Sequence, residues 1–299
     1  MNYIILDMEW DSAYHPASKQ FINQILQIGA VKLDEQFNII DVFDVIIRSS
    51  FSKRVSKRFA ELTGITKEMM LGGVPLQNAV IKYNEWIGDD TVTMTWSNSD
   101  LYTILSNEKL LLKGVKFKLQ KYLDLQKYIQ GEMRILGHEC NSQISLGNAA
   151  EILGVTTEGY ELHNAKDDSL VCATLLKRFY NAERFLGYVR DTTNPEFYRR
   201  LCFKPYYITN LNDSAVDKKQ LKMNCPICNC ELQRNSKWRY HNRNFTANFI
   251  CNNCNKKLVG RISFRKTYDD VIVKKYVREP KPKTCEEQTN EMQPLPEKV

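Results

Sequence analysis

The sequence predicts an α/β protein in which a mixed sheet flanked by helices precedes a small β-rich domain. Three apolar strand-like segments open the chain, and alternating strand and helix patterns follow to about residue 180. From Met223 onward, short strands and turns surround closely spaced cysteines. Strands followed by alternating strands and helices are typical of a mixed sheet with helices packed on it.

The individual elements follow from the spacing of apolar residues. Strands are expected at 2–8, 25–33, 39–47, 91–96 and 122–125. Helices are expected at 54–62, 76–88, 99–110, 143–153 and 166–180, with a loop at 10–20. A hairpin is expected from 257–266 to 271–277.

These elements group into domains. We expect a first domain at 1–182, a helical or irregular connection at 183–205 and a basic domain at 206–280. The remaining residues, 281–299, contain three prolines and four glutamates and are expected to form a disordered tail.

The net charge of +7 is distributed unevenly along the chain. Residues 1–200 carry 23 Lys/Arg against 25 Asp/Glu, whereas residues 201–280 carry 16 against 6. A basic module on a slightly acidic body suggests a polyanionic partner. No stretch approaches the roughly 18 uninterrupted apolar residues of a membrane helix, and the first residues lack a basic signal segment. We therefore expect a cytoplasmic protein without a membrane partner.

Two Cys-x-x-Cys pairs predict a metal site in the basic domain. Cys225 and Cys228 form the first pair, Cys251 and Cys254 form the second, and 22 residues separate the pairs. Without a secretory signal, this spacing favours one tetrahedral structural zinc over disulfides. Cys230 and His241 are alternative ligands that fit a two-pair geometry less well.

A second candidate site consists of acidic residues. Asp7 and Glu9 stand two apart in the first strand, so their side chains project to one face, where a divalent cation would offset their repulsion. The alternative is that the strand has ended and both acids are solvated. Asp100 follows a later strand, where it also suits the start of a helix. His163 and Asp168 open a late helix.

In this order, Asp7-x-Glu9, Asp100 and His163-x-x-x-x-Asp168 resemble the DEDDh family of 3′–5′ exonucleases over roughly residues 1–180. Supporting segments are 24–31 in the second strand and Leu62-Thr63-Gly64-Ile65-Thr66. The resemblance implies a ribonuclease-H-like fold and an exonuclease domain at 1–182. The segment at 206–280 would then be a zinc ribbon.

The resemblance also implies that the four acids bind two Mg²⁺ or Mn²⁺ ions. Asp7 would bridge both ions, Glu9 and Asp168 would hold the ion that carries the attacking water, and Asp100 would hold the other. His163 would take the proton from that water. Asp167 is the competing ligand for Asp168, and the four-residue gap after His163 selects Asp168.

Residues in two regions are expected to contact a single strand of RNA or DNA with a free 3′ end. Met8, Trp10, Leu62 and Thr63 occupy positions where family members contact the terminal nucleotide, although Met8 also suits core packing. In the ribbon, Trp238 and Arg239 belong to a mixture of cations and aromatics that suits nucleic acid. The alternative is that these aromatics form the core of the ribbon.

Two functions follow from these residues. The first is a metal-dependent exonuclease that releases nucleoside 5′-monophosphates from a 3′ end, with the zinc ribbon holding the nucleic acid. The second is a catalytically silent nuclease fold that binds nucleic acid or protein. The presence of all five motif residues favours the first.

Overall fold

The computed structural model of the chain describes residues 1–140 and 142–280. The chain divides into two compact units, the first comprising Met1–Arg199 and the second beginning at Arg200. This division falls within the expected connection at 183–205. The expected disordered tail at 281–299 lies outside the described residues.

The first unit alternates strands and helices after an opening set of three strands. Its strands are β1 (Asn2–His15), β2 (Gln20–Leu33), β3 (Ile39–Arg48), β4 (Val74–Pro75), β5 (Thr91–Thr95), β6 (Lys121–Asp124) and β7 (Arg190–Asp191). Its helices are α1 (Lys57–Thr63), α2 (Lys67–Gly72), α3 (Leu76–Ile87), α4 (Ser99–Leu110), α5 (Leu125–Ile135), α6 (Leu146–Ile152), α7 (Ala165–Phe179) and α8 (Ala182–Tyr188). Helix α9 (Pro195–Cys202) spans the division between the units.

The strands of the first unit form one mixed sheet in the order β4-β3-β2-β1-β5-β6-β7. β1 pairs antiparallel with β2 and parallel with β5, so it lies in the middle of the sheet. Buried apolar side chains of β1, β5, α5 and α7 pack in one large core. The predicted fold class, a mixed sheet flanked by helices, is confirmed.

The opening hairpin is longer than predicted. β1 continues to His15 and β2 begins at Gln20, so the loop expected at 10–20 is wrong. The ring of Tyr14 packs edge-on against that of Phe21 on the opposite strand, with centroids 5.6 Å apart. The pairing register shifts between Glu9 and Trp10, which leaves Leu26 as a bulge on β2.

The helix α5 is absent from the predicted elements. Its residues Leu125, Tyr128, Ile129 and Met133 are buried in the large core. This spacing is that of an amphipathic helix, so the periodic signal was present in the sequence.

The second unit is rich in β-structure. It contains β8 (Tyr206–Tyr207), β9 (Gln233–Arg234), β10 (Arg239–His241), β11 (Asn244–Ile250), β12 (Lys257–Lys266), β13 (Val271–Arg278) and one turn of 3₁₀ helix (Lys218–Leu221). β10, β11, β12 and β13 are neighbours in that order, with β8 on β12 and β9 on β11. The hairpin predicted from 257–266 to 271–277 is confirmed.

Candidate functional site

The strand order brings three of the predicted acids to one edge of the sheet. Asp7 and Glu9 share a face of β1 beside the bulge at Leu26 of β2. β1 and β5 run parallel, from Asn2 opposite Thr91 to Ile5 opposite Met94. Asp100, which follows β5 in the first turn of α4, therefore meets Asp7 beyond the carboxyl ends of this parallel pair.

The fourth acid, Asp168, lies next to the other three because α7 packs very close to β2. Gly29 lies directly opposite Asp7 in the ladder. A Cβ atom on Gly29 would lie 2.2 Å from the backbone nitrogen of Lys166, so any side chain would displace the start of α7. The contact places Asp168, in the first turn of α7, beside Asp7.

Gln27 and Asn164 fix the start of α7 on the sheet. The Oε1 atom of Gln27 accepts a hydrogen bond of 3.3 Å from the backbone of Ala165. The side chain of Asn164 caps the helix by accepting from the backbone amides of Lys166 and Asp167. Because Gln27 is only 2% exposed, this connection lies in the interior.

Asp167 and Asp168 have different partners. Asp167 accepts a hydrogen bond of 2.9 Å from the backbone of Glu161 and forms an ion pair of 3.3 Å with Lys166. Asp168 accepts from the backbone nitrogen of His163 at 3.2 Å, and its Oδ1 atom is buried without a hydrogen-bond partner in the described structure. Asp167 thus closes the preceding loop, whereas Asp168 presents an oxygen to the other acids.

Tyr122 holds the loop between β5 and α4, which directly precedes Asp100. The hydroxyl of Tyr122 donates to the carbonyl of Ser97 at 3.1 Å, and Ser97 has a left-handed φ of 98°. Farther along α4, the buried Asn107 donates to the carbonyl of Asn23 at 2.7 Å and accepts from the backbone of Ile25 at 3.4 Å. These contacts fix α4, and with it Asp100, against β6 and β2.

The carboxylates raise one another's pKa. Burial, followed by the charges of Asp100, Asp168 and Glu9, raises the pKa of Asp7 well above its usual range. The pKa of Glu9 is raised to about 8, first by burial and then by its acidic neighbours. Burial likewise raises the pKa of Asp100 to about 7 and that of Asp168 to about 6. A bound cation would relieve both the burial penalty and the repulsion.

The cluster also meets the geometric requirements of a cation site. Single ligand atoms of Glu9, His163 and Asp168 all lie within 4.8 Å of one another. Oδ1 of Asp100 is buried without a hydrogen-bond partner among the described residues, as is Oδ1 of Asp168. Unpaired buried carboxylate oxygens are costly, and hard divalent cations prefer oxygen ligands. These residues therefore fit divalent cations.

The residues predicted to contact substrate differ in accessibility. Met8 is 2% exposed, which favours its core-packing alternative, and its backbone amide donates to Asp100. Trp10 is partly buried and lines a groove with the aromatic rings of Phe21 and Tyr102. Leu62 is exposed at the end of α1, whereas the hydroxyl of Thr63 donates to the carbonyl of Phe59.

The four cysteines of the second unit converge. Sγ of Cys225 lies 3.6 Å from that of Cys254, and Sγ of Cys228 lies 3.4 Å from that of Cys251. Four sulfurs on a tetrahedral zinc with Zn–S of about 2.3 Å would lie about 3.8 Å apart. The cluster thus suits a structural zinc, and Cys230 is not among its members.

Two similar turns shape this cluster. Asn229 follows Cys228 and Asn255 follows Cys254, with left-handed φ angles of 58° and 53°. Asparagine adopts this conformation more readily than other residues with a side chain. In each turn, the first cysteine of the pair donates its backbone N–H to a carbonyl beyond the second: Cys225 to Cys230 and Cys251 to Lys256.

The aromatics and cations of the ribbon occupy different places. Phe245, Phe249 and Phe264 are buried in the core of the second unit. Trp238 is partly buried against Phe249, with ring centroids 5.6 Å apart. Arg239 is exposed on β10. The core alternative therefore holds for the phenylalanines, while Arg239 remains on the accessible surface.

Gln27, Gly29, Tyr122 and Asn107 support the site but were not singled out by sequence reasoning. Only Gln27 and Gly29 stood in a segment, 24–31, that carried the family resemblance. The partners of the others lie far away in sequence, so no local pattern marks them.

Among the described helices, none is long and apolar enough to cross a membrane.

Comparison with protein families matches residues 15–176 to the RNase T model, described as an exonuclease. DNA polymerase III of the PolC type from Clostridium perfringens is 25% identical over 175 residues, which make up 58% of this chain and 11% of that protein. The Thermotoga maritima protein of the same name is 23% identical over 223 residues, 74% of this chain and 15% of that protein. The chain thus spans a small part of the length of these relatives.

Solved structures show the same fold. Cell-death related nuclease 4 superposes with a TM-score of 0.51 at 22% identity, covering 59% of this chain and 62% of that one. A 3′-exonuclease, whose structure concerns 3′-end specific recognition of a histone mRNA stem-loop, gives a TM-score of 0.50 at 21% identity, covering 59% and 80%. At these identities the likeness concerns the fold.

Proposed function

The chain belongs to the RNase T exonuclease family, and we propose from this that it removes nucleotides from the 3′ end of single-stranded nucleic acid. The observation that carries the proposal is the cluster of Asp7, Glu9, Asp100 and Asp168 with His163 beside it. Within a nuclease fold, such a cluster suits metal-dependent hydrolysis of a phosphodiester bond.

The four carboxylates would hold two divalent cations, Mg²⁺ or Mn²⁺. When bound, two cations would supply a nucleophile from water at neutral pH and offset the charge that develops on the phosphate. The unpaired oxygens of Asp100 and Asp168 support this assignment, because both are buried and without another partner in the described structure.

His163 would accept the proton of the attacking water. It is exposed, and one of its ring nitrogens lies within 4.8 Å of ligand oxygens of Glu9 and Asp168. Its backbone has a left-handed φ of 69°, and its backbone N–H donates a hydrogen bond to Asp168. Attack of the water oxygen on phosphorus would break the bond to the 3′ oxygen of the preceding nucleotide. That oxygen would take a proton from solvent to become a new 3′-hydroxyl, and a nucleoside 5′-monophosphate would leave.

The exposed side chains near the site would hold the terminal nucleotide. Leu62 offers an apolar surface, and Trp10 lies one residue beyond Glu9 in a groove with Tyr102. Stacking on such side chains does not require a particular base, which suits removal of any nucleotide. A paired 3′ end would have to fray before its last base could reach them.

The zinc ribbon would hold the strand. Its 15 Lys/Arg against 6 Asp/Glu in residues 206–280 would neutralise phosphates, and Arg239 is one of the exposed cations. A zinc ion at the four cysteines would stabilise the small core rather than react, because four thiolates leave no open coordination position.

The proposal is tested by digesting a 5′-labelled single strand in Mg²⁺ or Mn²⁺ and comparing wild type with Asp7→Ala. We expect a ladder that shortens from the 3′ end, nucleoside 5′-monophosphates as products, and no products with Asp7→Ala or in EDTA. Matched RNA and DNA strands identify the preferred sugar, since discrimination rests on contacts to the 2′-hydroxyl. A wild-type protein that binds the strand but leaves it intact would favour the catalytically silent alternative.

A further inference from the structure

The segment 48–58 is a local reversal of charge in the first unit. It contains five Lys/Arg and no Asp/Glu, whereas the rest of residues 1–200 carries 18 Lys/Arg against 25 Asp/Glu. Lys53, Arg54 and Arg58 are exposed. In the described structure, none of these three forms an ion pair with a carboxylate, while Lys57 lies 3.6 Å from Glu61.

This segment is anchored next to the acidic cluster. Asp11 lies two residues beyond Glu9 on the same face of β1, and it is 8% exposed. Its carboxylate accepts from the backbone N–H and the hydroxyl of Ser56, at 2.7 and 2.9 Å. A two-residue step along a strand is about 7 Å, so Ser56 is held within a short distance of the catalytic end of β1.

The apolar side chains of the segment strengthen this attachment. Val55 and Phe59 pack in a small core with Leu26, the bulged residue of β2 beside the Glu9–Trp10 register shift. Lys53 and Arg54 precede Val55, and Arg58 precedes Phe59, so these three exposed cations extend from a fixed base. Lys57 and Arg58 lie in the first turn of α1. The N-terminal end of a helix favours acidic side chains, so these two cations do not stabilise α1.

We infer that Lys53, Arg54 and Arg58 bind the phosphates of the strand upstream of its 3′ end, a role that rests on the proposed function. A polyanion must approach four carboxylates that repel it, and cations anchored at Asp11 would offset this repulsion close to the site. The segment would form a contact separate from the zinc ribbon, and it would act only on strands long enough to extend past the terminal nucleotides.

The test uses the full chain with Lys53→Gln, Arg54→Gln and Arg58→Gln combined. Its control combines Lys82→Gln, Lys109→Gln and Lys116→Gln, which remove the same charge from exposed positions on α3, α4 and the following loop. Both variants keep the ribbon, the carboxylates and Asp11. Initial rates are measured on strands of about 3 and about 20 nucleotides over a range of salt concentrations.

We expect the segment variant to raise the KM for the long strand about tenfold and to leave the kcat for the short strand unchanged. The dependence of log(kcat/KM) on log salt should become shallower by about 2, since each phosphate contact contributes about 0.7. The control should match wild type. If wild type is active and the segment variant has the same KM and the same salt dependence as wild type, the inference is overturned.

Binding of the long strand without added Mg²⁺ or Mn²⁺, followed by fluorescence anisotropy, separates this inference from the proposed function. A wild-type protein without nuclease activity would refute the proposed function. The difference in salt dependence of binding between wild type and the segment variant would still test the role of the segment. If the segment variant binds the strand as wild type does at all salt concentrations, the segment has no role in holding the strand. An acidic protein would then be the polyanion left to test as the partner of the segment.

Discussion

Asp7 and Gly29 lie directly opposite each other in the β1–β2 ladder, and the missing side chain of Gly29 is what admits α7 to Asp7. One residue supplies a carboxylate, and its partner supplies the space through which a second carboxylate, Asp168, reaches it. The site therefore depends on a small residue that would bind nothing itself.

Gly29→Ala should inactivate the enzyme and destabilise it by about 1–3 kcal/mol, because the new methyl group would displace the start of α7. A displacement of about 1 Å can lower kcat by roughly a hundredfold. Gly187→Ala, in α8 with open space around its Cα, is the matched control and should retain activity. Thermal unfolding and initial rates measure both effects, and a fully active Gly29→Ala would show that α7 can shift without disturbing the site.

Asp168→Ala and Asp167→Ala should have opposite effects. Asp168→Ala should abolish turnover while leaving the melting temperature unchanged or higher, because it removes one of four mutually repelling acids. Asp167→Ala should keep activity but lower stability by about 1 kcal/mol, because it removes the bond to Glu161. Initial rates and melting temperatures measure these effects. An inactive Asp167→Ala together with an active Asp168→Ala would show that Asp167, and not Asp168, is the metal ligand.

His163→Asn should lower kcat by about 10²–10⁴ while metal binding persists. Asparagine is chosen because it tolerates the left-handed φ of 69° better than alanine does, so the loop should keep its shape. His138→Asn, at an exposed position of the same unit, is the control. The proton-transfer role would be refuted by wild-type rates for His163→Asn from pH 6 to 9 in both Mg²⁺ and Mn²⁺.

In EDTA, the first unit should lose stability as pH rises from about 5 to 8. Unfolded carboxyl groups release their protons near pH 4, whereas Asp168, Asp100 and Glu9 in the folded state have pKa values raised to about 6, 7 and 8. The folded state therefore holds more protons in this interval, and its stability falls with pH.

Mg²⁺ should restore this lost stability, and the gain in melting temperature should be larger at pH 8 than at pH 5.5. Glu9→Gln should flatten the pH profile measured in EDTA, because one of the groups with a raised pKa is gone. Melting temperatures across this range provide the measurement. A profile that rises with pH in EDTA would contradict the electrostatic description of the cluster.

The 299-residue chain should contain one zinc ion, and Cys251→Ser should lose it together with the fold of the second unit. Cys230→Ser should retain zinc, because Cys230 is exposed and outside the cluster. Elemental analysis measures zinc, and protease resistance of the ribbon reports its folding. Zinc loss from Cys230→Ser but not from Cys251→Ser would reassign the ligands.

The sequence was informative where chemistry or periodicity is local. The acids, His163 and the paired cysteines stand in recognisable spacings, and the mixed sheet follows from the order of apolar segments. The helix α5 was missed although Leu125, Tyr128, Ile129 and Met133 have helical spacing.

Other features depend on contacts between distant segments. The bond from Ser56 to Asp11 joins residues 45 apart, and that from Asn107 to Asn23 joins residues 84 apart. The extension of the hairpin through 10–20 was missed because its polar residues suggested a loop, whereas cross-strand pairing such as Tyr14 with Phe21 keeps it extended.

The order of the site residues along the chain has a consequence during synthesis. Asp7 lies in the first strand and Asp168 in α7, so the acidic cluster cannot assemble until nearly all of the first unit has left the ribosome. Contacts of such long sequence separation also slow folding, because a long loop must close before they can form. A nascent chain, or a fragment that ends before α7, therefore carries three of the acids and would lack the complete set that the proposed hydrolysis requires.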